Sequence, residues 1–288
     1  MNSKCVINSK GICAAAGFFA GRIWQSRQAA AGMCLVALIC LTALIAPWLA
    51  PADPVEVHLE NRLQSPNSWH WLGTDNLGRC IASRLIWGTR PSLLYSLLVL
   101  GMMLSVGLPL GLLAGYAGGR LDAAIMRLTD LFLAFPGTIL ALAVVGLLGP
   151  SVKNLILALG GLGWAGYARL IRGMVIQIKE QDFILAAQAA GCSHRRIVMN
   201  HMVMYMLMPV ITLAALEVGA IMLAIAGYSF IGLGVQPPTP EWGVMLSDSK
   251  SYIQTQPQLM LYPGMAIILT VTAFNLLGEG LKNIMEKI

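Results

Sequence analysis

Few side chains in this sequence could do chemistry, and their spacing says which kind. Glu217 is a lone carboxylate inside a long apolar stretch. Such a group is costly unless it faces the interior of a bundle or a water-filled path. That makes Glu217 a candidate for a translocation pathway, with a hydrogen bond to a neighbouring helix as the other reading. Met199, Met202, Met204, Met206 and Met208 suggest soft-metal ligation. At helical spacing, however, the first, second and fourth of these share one face and the other two lie on another, which fits flexible apolar packing better than a metal site. His58, His70, His194 and His201 do not cluster. A phosphate-cradling loop needs Gly-Lys followed by Ser or Thr, and the chain has no Gly-Lys pair. No span gathers His, Asp and Ser as an intramembrane enzyme would need. The expectation is a non-catalytic chain that binds no metal or cofactor of its own.

The densest local pattern is 180–209, EQDFILAAQAAGCSHRRIVMNHMVMYMLMP. Asp182 is expected to cap a short helix, with Glu180 adding negative charge near its positive end. Gly191 is expected to end that helix in a left-handed conformation. Ser193 then opens a second helix that carries Arg195 and Arg196 into the next apolar segment. Ala186, Ala187, Ala189 and Ala190 leave the first helix thin enough for another surface to approach closely.

The elements that position these residues follow from composition. The chain has 288 residues, 57% hydrophobic and 11% charged, with mean hydropathy +0.71. Soluble proteins carry about a quarter charged residues, so this is a polytopic membrane protein. Apolar segments at 29–49, 91–116, 128–148, 155–171, within 201–234 and at 259–281 give six transmembrane helices and an all-α fold. Residues 1–28 form an N-terminal tail and 29–288 the membrane domain. Gly107, Gly111 and Gly115 repeat every fourth residue, a small-residue packing face. Residues 118–127 read as a basic turn, and Pro136 as a kink in the third span. The six cysteines lack C-x-x-C spacing, so neither a zinc site nor a disulfide framework is expected.

The net charge of +6 reflects orientation rather than nucleic-acid binding. With the N-terminus inside, the inner segments 1–28, 117–127, 169–201 and 282–288 hold 13 of the 19 Lys and Arg. Both termini and the basic central loop are then cytoplasmic. The outer loops carry LGTDNLGR (72–79) and PEWGVML (240–246). There Gly73, Gly78 and Gly243 would permit tight turns, and Trp71 and Trp242 would suit the membrane boundary.

The central loop resembles the EAA loop of ABC importer permeases, with Ala186, Ala187, Gly191, Arg196, Ile197, His201 and Pro209 on the pattern. Leu185 stands where that family has Glu, and Met204 where it has Pro. Together with GTRPSL (88–93), GGRLD (118–122), SFIGLG (229–234) and AFNLLGEGL (273–281), the outer motifs are similar to the C-type permease of the dipeptide, oligopeptide and nickel importers. Cys80 replaces the Asp usual after Gly-Arg.

The resemblance implies a subunit in a bacterial cytoplasmic (inner) membrane, paired as a heterodimer with a second permease. Two ABC ATPase subunits would bind ATP and dock on the loop between spans four and five, at Asp182, Leu185, Ala186, Ala187, Gly191, Arg195, Arg196 and His201. An extracytoplasmic solute-binding protein would meet the outer motifs, Gly73, Thr74, Asp75, Gly78, Arg79, Glu241, Trp242 and Gly243. The cargo would be short peptides or nickel, possibly chelated, with 251–264 leaning to nickel. An ion-gradient-driven secondary transporter is the alternative; it would need ion ligands at mid-membrane.

Overall fold

A computed structural model of the chain describes residues 26–286. Most of the expected tail lies outside those residues, as do Cys5 and Cys13. Ser26 caps α1 (Arg27–Leu49), its Oγ accepting from Ala29 N. The following helices are α2 (Ile81–Ala117), α3 (Gly119–Leu133), α4 (Gly137–Leu148), α5 (Val152–Lys179) and α6 (Asp182–Ala189). Then come α7 (His194–Phe230), α8 (Trp242–Ser249) and α9 (Gln258–Met285). No strand occurs among the described residues.

Five of these helices, α1, α2, α5, α7 and α9, are long and apolar enough to cross a membrane. α3 and α4, bent by 76°, meet the same length and composition only when taken together, which makes six spans if the pair crosses as one. Pro136 caps α4 and breaks the span, because proline has no N–H to continue the ladder. The expected kink is thus a full break. Two other boundaries also differ from the sequence reading. Residues 119–127 are the start of α3, not a turn: Asp122 makes a bidentate pair with Arg172 of α5, and Asp130 pairs with Arg169. α2 begins at Ile81 rather than near residue 91, and Pro91 lies inside it.

Glycine sets the closest helix contacts. A Cβ at Gly107 would lie 2.8 Å from Trp164 O, and one at Gly111 2.5 Å from Ala168 O. The expected glycine face therefore packs α2 against α5 almost backbone to backbone. Gly32 and Gly280 do the same between α1 and α9.

Proline shapes another contact. Pro47 in α1 cannot donate to the carbonyl of Ala43, four residues back. Arg90 fills that role from α2, its Nε donating to Ala43 O at 2.5 Å and its Nη2 to Leu44 O at 3.0 Å. One proline thereby fixes where α1 meets α2. Cys34, Cys40 and Cys80 are free.

Candidate functional site

The sequence-predicted residues fall into three places. At the basic end, α6 is followed by a glycine corner. Gly191 has φ +75°, its N–H donates to Gln188 O, and Cys192 N–H donates to Ala187 O. That pair of bonds satisfies the carbonyls at the helix end. Asp182 is not the cap. Gln181 occupies that position, and Asp182 begins the helix proper, where its charge still complements the dipole. Ser193 stands at the start of α7 without a side-chain capping bond.

One face of α6 is anchored. Ile184 is 0% exposed, in a cluster with Ile171, Val175 and Ile178 of α5 and Ile197, Met202 and Met206 of α7. The other face is open: Phe183, Leu185, Ala186 and Ala189 are exposed, with Leu185 at 50%. Arg195 is exposed and Arg196 half-buried. His201 sits in a π-helical stretch, Ile197–Met202, its Nε2 buried without a partner.

At the opposite end, the outer motifs pack on one another. Thr74 Oγ1 accepts from Gln64 N at 2.8 Å. Gly73 and Gly78 have φ of +81° and +75°, the conformation a tight turn needs. Gly243 has no such φ. It is instead a close approach, its Cβ position 2.6 Å from Ala226 of α7. Trp242 is turned inward; it is 3% exposed and donates Nε1–H to Leu85 O at 3.1 Å. Glu241 caps α8, accepting from Gly243 N at 2.9 Å and Val244 N at 3.0 Å. Burial pushes its carboxyl above the usual range, opposed by those two N–H bonds.

The centre of this cap is a four-membered ion cluster. Arg79 Nε donates to Asp75 Oδ2 at 2.7 Å, and Arg79 Nη2 to Asp248 Oδ2 at 2.9 Å. Arg84 bridges the same two carboxylates at 2.5 and 3.3 Å. The two arginines are 2% and 1% exposed. A cavity of about 10 Å³ beside Asp75, Arg84, Met245 and Asp248 has room for about one water. Cys80 stands at the α2 cap without a side-chain bond, yet the loop keeps its charge pairing through Asp75 and Asp248. Arg84 and Asp248 are absent from the sequence-predicted set. Their only sequence signal is charge at the edge of apolar segments.

Glu217 lies apart from both ends. It is half-buried on α7 and makes no hydrogen bond or ion pair with any described residue. Leu216 and Gly219 face α9; helical rotation turns Glu217 away from that helix. Tyr167 of α5 lies within electrostatic reach, its buried hydroxyl unpartnered.

The described residues thus form a bundle of long apolar helices with an exposed short helix at one end and a folded cap at the other. Residues 107–287 match the family of binding-protein-dependent transport system inner membrane components. Residues 19–66 match the N-terminal TM domain of oligopeptide transport permease C. The chain is 44% identical to the nickel transport system permease protein NikC of Escherichia coli over 92% of this chain and 95% of that one. It is 40% identical to the dipeptide transport system permease protein DppC of Alkalihalophilus pseudofirmus, over 91% and 86%. Its fold is similar to a chain of the MetNI methionine ABC transporter in an inward-facing conformation. That match has TM-score 0.56 and 18% identity, and covers 69% of this chain and 95% of that one. The chain belongs to the binding-protein-dependent transport family and is a permease subunit of an ABC importer.

Proposed function

We propose that this permease forms a heterodimer with a second permease in a bacterial inner membrane and carries nickel, free or chelated, or short peptides. Two ATPase subunits bind and hydrolyse ATP, dock on α6 from the cytoplasm, and transmit closure to the helices. A solute-binding protein delivers cargo to the outer cap built around Asp75, Arg79 and Glu241. Glu217 lines the pathway, since it is a membrane carboxylate with no hydrogen bond or ion pair among the described residues.

The observation that carries the coupling assignment is the two-sided character of α6. Its inner face is locked by Ile184, and its outer face offers Phe183, Leu185 and Ala186 to a partner. Similarity to nickel and dipeptide permeases supports the choice of cargo.

The test replaces Gly191 by Arg in the complete importer. A Cβ there meets nothing within 4 Å, so the cost is backbone strain at positive φ, about 1 kcal/mol, plus bulk on the open side. Insertion of the spans should persist, while recovery of the ATPases by pull-down and uptake of nickel or dialanine should both fall. Unchanged recovery with unchanged uptake would remove α6 as the docking element. Uptake of neither probe by the wild-type importer would remove the proposed cargo.

A further inference from the structure

We propose that Tyr116 is the positioning residue through which α6 acts on the membrane helices. It holds both ends of the α6 segment to the cytoplasmic end of α2, so that segment and helix move as one body. This inference rests on the assignment of α6 as the docking helix.

The segment that carries α6 leaves the membrane after Lys179, the last residue of α5, and returns at His194, the first of α7. Tyr116 binds both residues. Its hydroxyl and His194 Nδ1 are 2.6 Å apart, and the two rings meet edge to face at 5.8 Å. Its backbone carbonyl accepts from Lys179 Nζ at 3.1 Å. The same ammonium lies 5.7 Å from the tyrosine ring centroid.

Local structure explains why Tyr116 is free to do this. The last carbonyls of a helix lack intrahelical donors. Tyr116 is the penultimate residue of α2, and Gly118 with φ +65° ends the helix there. Its carbonyl is therefore open for Lys179, a cation at the negative end of two helices at once. Its ring packs on the cluster that contains Ile184, Ile178 and Ile197, directly beneath α6. Three kinds of contact thus converge on one side chain and its carbonyl.

What Tyr116 holds extends across the protein. α2 has 37 residues, which at 1.5 Å per residue is about 55 Å of helix. Its glycine face lies against the backbone of α5, so the two helices share displacements. Its first turn carries Arg84, within the outer ion cluster. A displacement of α6 held by Tyr116 is delivered to a rod that ends in the outer cap. Without that hold, the loop residues on either side of α6 absorb it.

The experiment uses the complete importer in proteoliposomes, with nickel ion and dialanine as probes. Uptake per ATP hydrolysed and ATPase recovery are measured for Tyr116→Phe, His194→Ala, the double variant and His194→Gln. Tyr116→Phe keeps the ring and the carbonyl and removes only the hydroxyl. Recovery of the ATPases should match wild type, while uptake per ATP falls at least about fivefold, the lower range of allosteric coupling. The double variant should be no worse than His194→Ala alone, because that substitution already removes the bond that Tyr116→Phe removes. His194→Gln, which can still bond the hydroxyl, should regain most of the coupling. Because His194 is exposed, His194→Ala carries the test even if Tyr116→Phe lowers membrane levels. Wild-type uptake per ATP in His194→Ala would overturn the inference, as would losses that add in the double variant. Failure of the docking assignment is separate: it appears as full ATPase recovery and uptake in Gly191→Arg.

Discussion

Arg84 in the first turn of α2 and Asp248 near the end of α8 meet at 3.3 Å across 164 positions of sequence. The same guanidinium reaches Asp75 at 2.5 Å, so one buried arginine ties a loop, the start of a span and the cap helix together. Removing one partner of a buried ion cluster leaves uncompensated charge, a cost of about 3–5 kcal/mol. Arg84→Ala should therefore lower the melting temperature of the purified protein and its level in the membrane. Arg62→Ala, which removes an exposed bond to the Tyr252 hydroxyl and a contact with its ring, should change little. Equal behaviour of the two variants would show that the cluster does not hold the cap.

Gly111 tests the contact between α2 and α5. A Cβ there would lie 2.5 Å from Ala168 O and 2.7 Å from Ile171 Cβ. Gly111→Leu should destabilise by about 1–3 kcal/mol or more, since the obstacle is backbone. Gly101→Leu, where a Cβ meets nothing within 4 Å, is the matched control on the same helix. Thermal melting in detergent reads both. A Gly111 variant as stable as the Gly101 variant would contradict the close packing.

Orientation is open to labelling. Gln188→Cys on α6 and Ser247→Cys on α8 are introduced singly into a cysteine-free background. An impermeant thiol reagent added to intact cells should modify the second and spare the first. Labelling at 188 would reverse the proposed sidedness, and with it the cytoplasmic placement of α6.

Glu217 has no hydrogen bond or ion pair to lose among the described residues, so its substitution separates a pathway role from a structural one. Glu217→Gln should leave membrane levels and ATPase recovery at wild-type values and reduce uptake severalfold. Silent substitution would remove Glu217 from the pathway. Loss of the protein from the membrane would assign it a folding role instead.

Much of this protein is fixed by local sequence. Long apolar runs must be helices in a membrane, because every backbone polar group needs an internal partner there. That alone placed α1, α5, α7 and α9 to within a few residues at most ends. Gly191 ended α6 as its lack of a Cβ allows, and the Gly107–Gly111–Gly115 spacing marked a packing face before its partner was known. The short thin helix between the fourth and fifth spans was likewise legible. What sequence pattern does not carry is the partner of each charge. Arg84 and Asp122 read as loop residues because an unpaired charge ends an apolar run; paired with Asp75, Asp248 and Arg172, they extend α2 and create α3. Nor does sequence pattern show that α8 folds Trp242 inward against Leu85. The hold of Tyr116 on Lys179 and His194 spans 63 and 78 positions. Periodicity and capping report neighbours within a few residues, whereas these contacts exist only once distant helices have packed, and only the tertiary structure decided them.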